Sequence, residues 1–179
     1  MNDRPMPDTA RTLALLSDAA RQLGETPDLP RFYRAVESAL GELVGFKLFT
    51  LLRVTPMRDG LERMHSSDRK VYPAGGVKPV ADDPWLQRLL IDDRPALSPD
   101  AHAVRQNFPD AEAIFALGCE SALNVPICLQ GRILGSMNLL HAAHWFRPGD
   151  AALCQPFAAL LGAAFFFSSV SQVSSGASP

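Results

Sequence analysis

Ser121-Ala122-Leu123-Asn124-Val125-Pro126-Ile127-Cys128-Leu129, then Gln130-Gly131, then Arg132-Ile133-Leu134-Gly135-Ser136-Met137-Asn138-Leu139-Leu140-His141 is the stretch that decides the fold. Two strand-like runs flank a Gln-Gly pair, and a short glycine-containing link between such runs signals a β-hairpin. Asn124 and Asn138 stand where most neighbours are apolar. An amide there is costly unless paired, so each either bonds loop backbone or faces a ligand. Whether they share a face depends on the turn. A strict two-residue turn puts them on opposite faces, and a three-residue turn with a bulge puts them together.

Working outward, Pro148 to about Ser168 reads as a long helix, with Pro148 in its first turn and Asp150 near the positive end of its dipole. Pro156 in its interior is expected to kink it. The serine-rich end, 170–179, reads as a disordered tail. Upstream, Asp110 to Leu117 reads as a short helix and Pro95 to Ser98 as a short strand. Pro84 to Ile91 is a helix carrying Trp85, Leu89 and Leu90. Tyr72 to Asp83, with three prolines and two adjacent glycines, reads as a loop. Phe46 to Val54 and Leu61 to Ser67 form a first hairpin around the Pro56 to Gly60 turn.

Two helices precede this hairpin. Asp28 is the expected N-cap of the second, which has Pro30 in its first turn and a Phe32/Val36/Leu40/Leu43 stripe, and which Gly45 ends. Leu13, Leu16, Ala20 and Leu23 give the first its helical spacing, with Gly24 as a stop. Residues 1–8 read as disordered, and 9–169 as one domain. Strands grouped between helices imply an α+β fold with an antiparallel sheet. The terminal helices would cover one face, and the insert would arch over a pocket on the other.

Composition narrows the function. A chain of 179 residues with 47% hydrophobic and 20% charged residues is ordinary globular usage. A net charge of −2, with lysine and arginine scattered, gives no surface for a nucleic-acid backbone. Three cysteines (Cys119, Cys128 and Cys154) form no paired framework and suit a reducing compartment. The polar start has no signal-peptide core, and the longest apolar run, Phe157 to Phe167, is short for a bilayer. The expectation is a cytoplasmic protein without a membrane or nucleic-acid partner.

The segment Ser121 to Ile127, with Gly131, Gly135-Ser136-Met137-Asn138-Leu139, Phe146 and Asp150, resembles the C-terminal half of GAF domains. Those domains run from a strand ending in Val-Pro-hydrophobic through a glycine turn to a strand that opens with glycine. A Phe-x-x-x-Asp segment then starts the last helix. The element order extends the resemblance over roughly residues 10 to 168. It implies five or six antiparallel strands, a ligand pocket on one sheet face, and dimerisation through the terminal helices. The family's ligands include cyclic nucleotides, tetrapyrroles, amino acids and small aromatic or carboxylic metabolites, and the fold does not choose among them.

Three sharper chemistries bear on these residues. Cyclic-nucleotide GAF domains carry Asn-Lys after the last strand and Asp-Glu after the Phe; here His141-Ala142 and Ala151 break that pattern. Phe146 and Asp150 also suit a packing wedge and a helix-start acid. The methionine-sulfoxide-reducing branch uses insert cysteines, and this insert has none. Cys119 is the one candidate nucleophile, with Glu120 beside it to raise its pKa. His141-Ala-Ala-His144 has a metal-like step but no third ligand nearby, so no metal is expected.

The reading is a bacterial-type sensory or regulatory domain that binds a small molecule as a homodimer and acts in signal transduction or metabolic regulation. The signal would pass to a separate signalling protein or a pathway enzyme. The alternative is a small redox enzyme of the free methionine-R-sulfoxide reductase type using Cys119; an enzyme is the less favoured class. Candidate ligand contacts are Thr50, Met64, Ser66, Trp85, Leu89, Phe115, Cys119, Ser121, Asn124 and Asn138. No cofactor is specified beyond an unknown small-molecule ligand. The dimer expectation rests on the last helix, which is apolar nearly all round, beside the stripe of the first.

Overall fold

A computed structural model describes residues 4–5, 7–25, 28–81, 87 and 91–175, with side chains through residue 168. Along the chain come α1 (Thr9–Glu25), α2 (Leu29–Leu43), β1 (Leu48–Val54), β2 (Gly60–Ser66), β3 (Val77–Pro79) and β4 (Ala96–Ser98). They are followed by α3 (Ala101–Asn107), α4 (Ala111–Ala116), β5 (Ser121–Leu129), β6 (Arg132–His141) and α5 (Asp150–Ser175). The strands form one six-stranded sheet in the order β3-β2-β1-β6-β5-β4, antiparallel throughout.

The two sheet faces carry different chemistry. Phe49, Leu51, Leu123, Val125, Met137 and Leu139 point toward the helices and join the core with Phe32, Val36 and Leu40 of α2 and Phe157, Leu161 and Phe165 of α5. Each such side chain removed from water contributes roughly 1.5–3 kcal/mol, so this layer is the main source of stability. Their strand neighbours face the insert, where Leu48, Ala122 and Leu140 form a smaller core with Tyr72, Val104, Ile114 and Cys119.

Local chemistry fixes the helix ends. The Asp28 carboxylate accepts from the Arg31 amide at 3.2 Å, and Gly45, at φ +74°, turns the chain out of α2. Asp150 starts α5 by accepting from the Arg147 amide at 2.8 Å, and it pairs with Arg4. That pair ties the extreme N-terminal chain down at Arg4, inside the stretch expected to be disordered. α5 runs through Pro156 and on to Ser175, past the Ser168 end expected from the serines. By length and composition α5 could cross a membrane over Asp150–Ser168, but Phe157, Leu161 and Phe165 are enclosed against the sheet, as in a core helix. A Cβ on Gly162 would lie 2.6 Å from the Cys128 carbonyl oxygen, so glycine permits this close approach of helix and sheet.

Two short elements depart from expectation. β3 lies inside the Pro/Gly-rich segment expected to be loop; as an edge strand it tolerates Pro79. α3 forms after Asp100, which caps the Ala103 amide at 2.9 Å.

Candidate ligand-binding site

The hairpin answers the question of the two asparagines. Leu129 pairs with Arg132, so Gln130-Gly131 is a strict two-residue turn, and both residues have positive φ (+49° and +74°), as a type I′ turn requires. That turn alone would place Asn124 and Asn138 on opposite faces. The register shifts beyond it, however: Cys128 pairs with Ile133 and Ile127 with Gly135, which leaves Leu134 as an extra residue. This bulge brings Asn124 directly opposite Asn138 on the insert face. The combination is a two-residue turn plus a bulge, neither of the two alternatives drawn from the sequence.

A second bulge acts the same way in β2. Leu51 pairs with His65 and Leu52 with Arg63, so Met64 is the extra residue. His65 therefore turns toward α2, where it meets Glu37 at 2.5 Å, while Arg63 turns to the insert face.

The result is a polar row across the four central strands. Asn124, Asn138, Thr50 and Ser66 are successive cross-strand partners, all buried. Asn138 is the hub. Its Oδ1 accepts from Asn124 Nδ2 at 2.7 Å and from the Ser136 hydroxyl at 2.5 Å, and its Nδ2 donates to Thr50 Oγ1 at 3.1 Å. Asn124 Oδ1 is left buried with no hydrogen bond. A buried acceptor without a donor is destabilising, so the row contains one unmet demand.

Arg63 lies one pleat along the same face. It is 8% exposed, stacks on the Tyr72 ring at 4.9 Å, and donates from Nη1 to the Pro73 carbonyl at 3.2 Å. Its Nε is buried without a partner. Burial pulls its pKa below the usual range, and nearby Tyr72 and Asp110 oppose that pull; an arginine remains a cation all the same. Asp110 is already engaged, accepting from the Tyr72 hydroxyl at 3.0 Å and from Lys78 at 3.1 Å. A cleft of about 440 Å³ opens at the hairpin end of the sheet, between Arg58, Ile91, Asp93, Arg132 and Ile133.

The remaining candidates separate. Ser66 is occupied by its own turn, donating to the Asp68 carbonyl and accepting from the Asp68 amide. Met64 packs against the helix-side core. Phe115 leans on the insert core under the Arg105 guanidinium at 4.8 Å. Ser121 is fully buried and donates to the Ala142 carbonyl at 2.7 Å, which fixes the loop after β6. Trp85 and Leu89 lie outside the described residues. Cys119 is enclosed in the insert core, and burial pushes its thiol up to about 11 despite Lys47 nearby.

His141 stacks flat on Trp145 at 3.7 Å and accepts the Ala142 amide at Nδ1, so its ring serves the loop. Among the described residues no three His, Cys, Asp or Glu side chains are placed to hold a metal. Ser136 and Arg63 are the additions the sequence reading missed. Arg63 carried a signal, a cation within an otherwise strand-like run, but its face depends on the Met64 bulge.

A family model described as the GAF domain matches residues 28–165. No curated protein matches the chain. Among solved structures, the GAF domain of a phosphoenolpyruvate-protein phosphotransferase from Coxiella burnetii is similar, with a TM-score of 0.73, 18% identity, 93% of this chain covered and 99% of that one. The GAF domain of the Acinetobacter phosphoenolpyruvate-protein phosphotransferase has a TM-score of 0.73 at 10% identity, covering 92% and 97%. The GAF domain of a two-component sensor histidine kinase from Bacillus halodurans has a TM-score of 0.69 at 15% identity, covering 82% and 99%.

Proposed function

The chain belongs to the GAF domain family, whose fold is typical of sensory and regulatory domains in signalling proteins; from that premise we propose that it binds a small molecule on the insert face of its sheet and works as a homodimer. The observation that carries this reading is the buried polar row. The helix side of the sheet is mainly apolar, and its buried polar side chains His65 and Arg53 each meet a carboxylate. This face holds Thr50, Asn124, Ser136, Asn138 and Arg63 instead, with acceptor and donor atoms left over.

The dimer half of the proposal rests on α1 and α5, which pack side by side. Leu13 on α1 is 63% exposed, and Phe166 and Phe167 on α5 are 43% and 67% exposed. No charged residue follows Asp150 in α5. Exposed apolar side chains on two neighbouring helices suit a two-fold helical bundle. Ligand binding that orders the insert would reach these helices through the shared sheet and pass to a separate signalling protein or a pathway enzyme. The free thiols fit a cytoplasmic setting.

The redox alternative has less behind it. Its nucleophile would be Cys119, whose buried thiol is held protonated, whereas a reactive cysteine is exposed and acidic. Native mass spectrometry of the freshly purified protein, followed by denaturation, tests the main proposal. A dimer that releases a stoichiometric small molecule is expected. An empty monomer in every preparation would remove both parts.

A further inference from the structure

Two arginine side chains, Arg53 and Arg63, are buried among the described residues and a third, Arg4, is nearly so, and they are not equivalent. Arg4 pairs with Asp150 and Arg53 with Glu62, while Arg63 has no carboxylate in hydrogen-bond contact. Asp110 acts on it only through space, being engaged by Tyr72 and Lys78, and a buried cation with no carboxylate in direct contact is costly. Its geometry is also directional. The Pro73 carbonyl takes Nη1, and the Tyr72 ring covers one face of the guanidinium. The edge bearing Nε is left, and an Nε–H with the neighbouring Nη–H forms the two-pronged donor that matches both oxygens of a carboxylate.

The second unmet group shares this sheet face. Asn124 Oδ1 is a buried acceptor without a donor, on β5, while Arg63 is on β2. Three strand spacings, about 14 Å between backbones, separate them. The floor between consists of Thr50, Leu52, Ser136 and Asn138. One molecule meeting both groups is metabolite-sized, anionic at one end and a hydrogen-bond donor at the other.

We propose that the ligand of this face is a small organic carboxylic acid, its carboxylate clasped by the Nε edge of Arg63 and a hydroxyl or N–H at its far end donating to Asn124 Oδ1. This rests on the ligand-binding reading above and adds the chemical class to it. The Tyr72 stack and the Pro73 bond hold the guanidinium in place before the ligand arrives, which lowers the entropic cost of binding.

The test is thermal unfolding of the whole chain at matched ionic strength in sodium chloride, acetate or phosphate. Acetate is expected to raise Tm relative to chloride and to do so more than phosphate, and Arg63→Met abolishes the difference. In the chloride buffer Arg63→Met is expected to match or exceed the wild-type Tm, because it removes a buried charge that bonds no carboxylate. A series of hydroxy acids from glycolate to 6-hydroxyhexanoate then locates the second contact. Affinity rises once the chain reaches Asn124, and Asn124→Leu cancels that rise by about tenfold in Kd.

Equal effects of acetate and chloride would overturn the proposal, as would a phosphate effect as large as that of acetate. Large destabilisation by Arg63→Met in chloride would make Arg63 a structural clamp and overturn it too. A flat hydroxy-acid series would remove Asn124 from it. Mass spectrometry separates these failures from failure of the binding reading. A released ligand without an acid group sinks the carboxylate assignment alone, and an empty protein that is also indifferent to acetate sinks both.

Discussion

Replacing Asn138 with alanine should cost far more stability than replacing Asn124, although both are buried amides on facing strands. Asn138 makes three side-chain hydrogen bonds, at 2.7, 2.5 and 3.1 Å. Asn138→Ala strands Asn124 Nδ2, leaves the Ser136 hydroxyl without its acceptor, and takes from Thr50 the donor it accepts. At about 1–3 kcal/mol for each buried group left unmet, with rotatable hydroxyls at the low end, the loss is about 3–5 kcal/mol. For a domain of this size that lowers Tm by about 10–15 °C. Asn124→Ala removes one hydrogen bond and also an acceptor that has none, so the two effects partly cancel and the loss is about 0–1.5 kcal/mol. Urea unfolding monitored by far-UV circular dichroism measures both variants. Losses equal within about 0.5 kcal/mol, or a larger loss for Asn124→Ala, would refute the idea of Asn138 as hub and Asn124 as the unsatisfied outlier.

Gly135→Ala should fail to fold or lose at least about 3 kcal/mol. Its Cβ would overlap the Leu52 carbonyl oxygen and sit 2.8 Å from the Phe165 ring, between sheet and α5. Gly24→Ala, with open space around it near the end of α1, should be neutral or stabilise by up to about 1 kcal/mol in the same unfolding assay. The thiols give a pH test. Burial holds Cys119 at about 11 and Cys154 at about 12, above the free thiol. Their contribution is therefore whole below the unfolded thiol's pKa and declines as pH rises from about 9 toward these values, by up to about 1.4 kcal/mol per pH unit per thiol. Unfolding curves between neutral and strongly alkaline pH should show that decline, and Cys119→Ala should flatten part of it. Leu13→Glu with Phe167→Glu should turn a dimer into a folded monomer in size-exclusion chromatography with light scattering. An unchanged dimer would move the interface elsewhere.

The contrast between what the sequence reveals here and what it conceals has a physical basis. β5 and β6 are legible to the residue because their apolar runs are long and the Gln130-Gly131 link has the positive-φ chemistry of a tight turn. α2 is legible because an N-cap, a proline in the first turn, a four-residue stripe and a C-terminal glycine all agree. α3 escapes because it is short and buries only Val104, so no periodicity can build up. β3 escapes because an edge strand can carry the proline and glycines that elsewhere mark a loop. The site is hardest of all. Its composition hinges on two single-residue insertions, at Leu134 and Met64, each flanked by side chains that would suit either register. Both extra residues pack on the helix side, so what sets each bulge is core packing between sheet and helices, a tertiary effect with no local signal. Those two shifts put Asn124 beside Asn138 and turn Arg63 to their face. The helix-side core therefore determines which polar groups meet under the insert, and a substitution at Leu134 or Met64 that moved a bulge would rearrange the site without touching it.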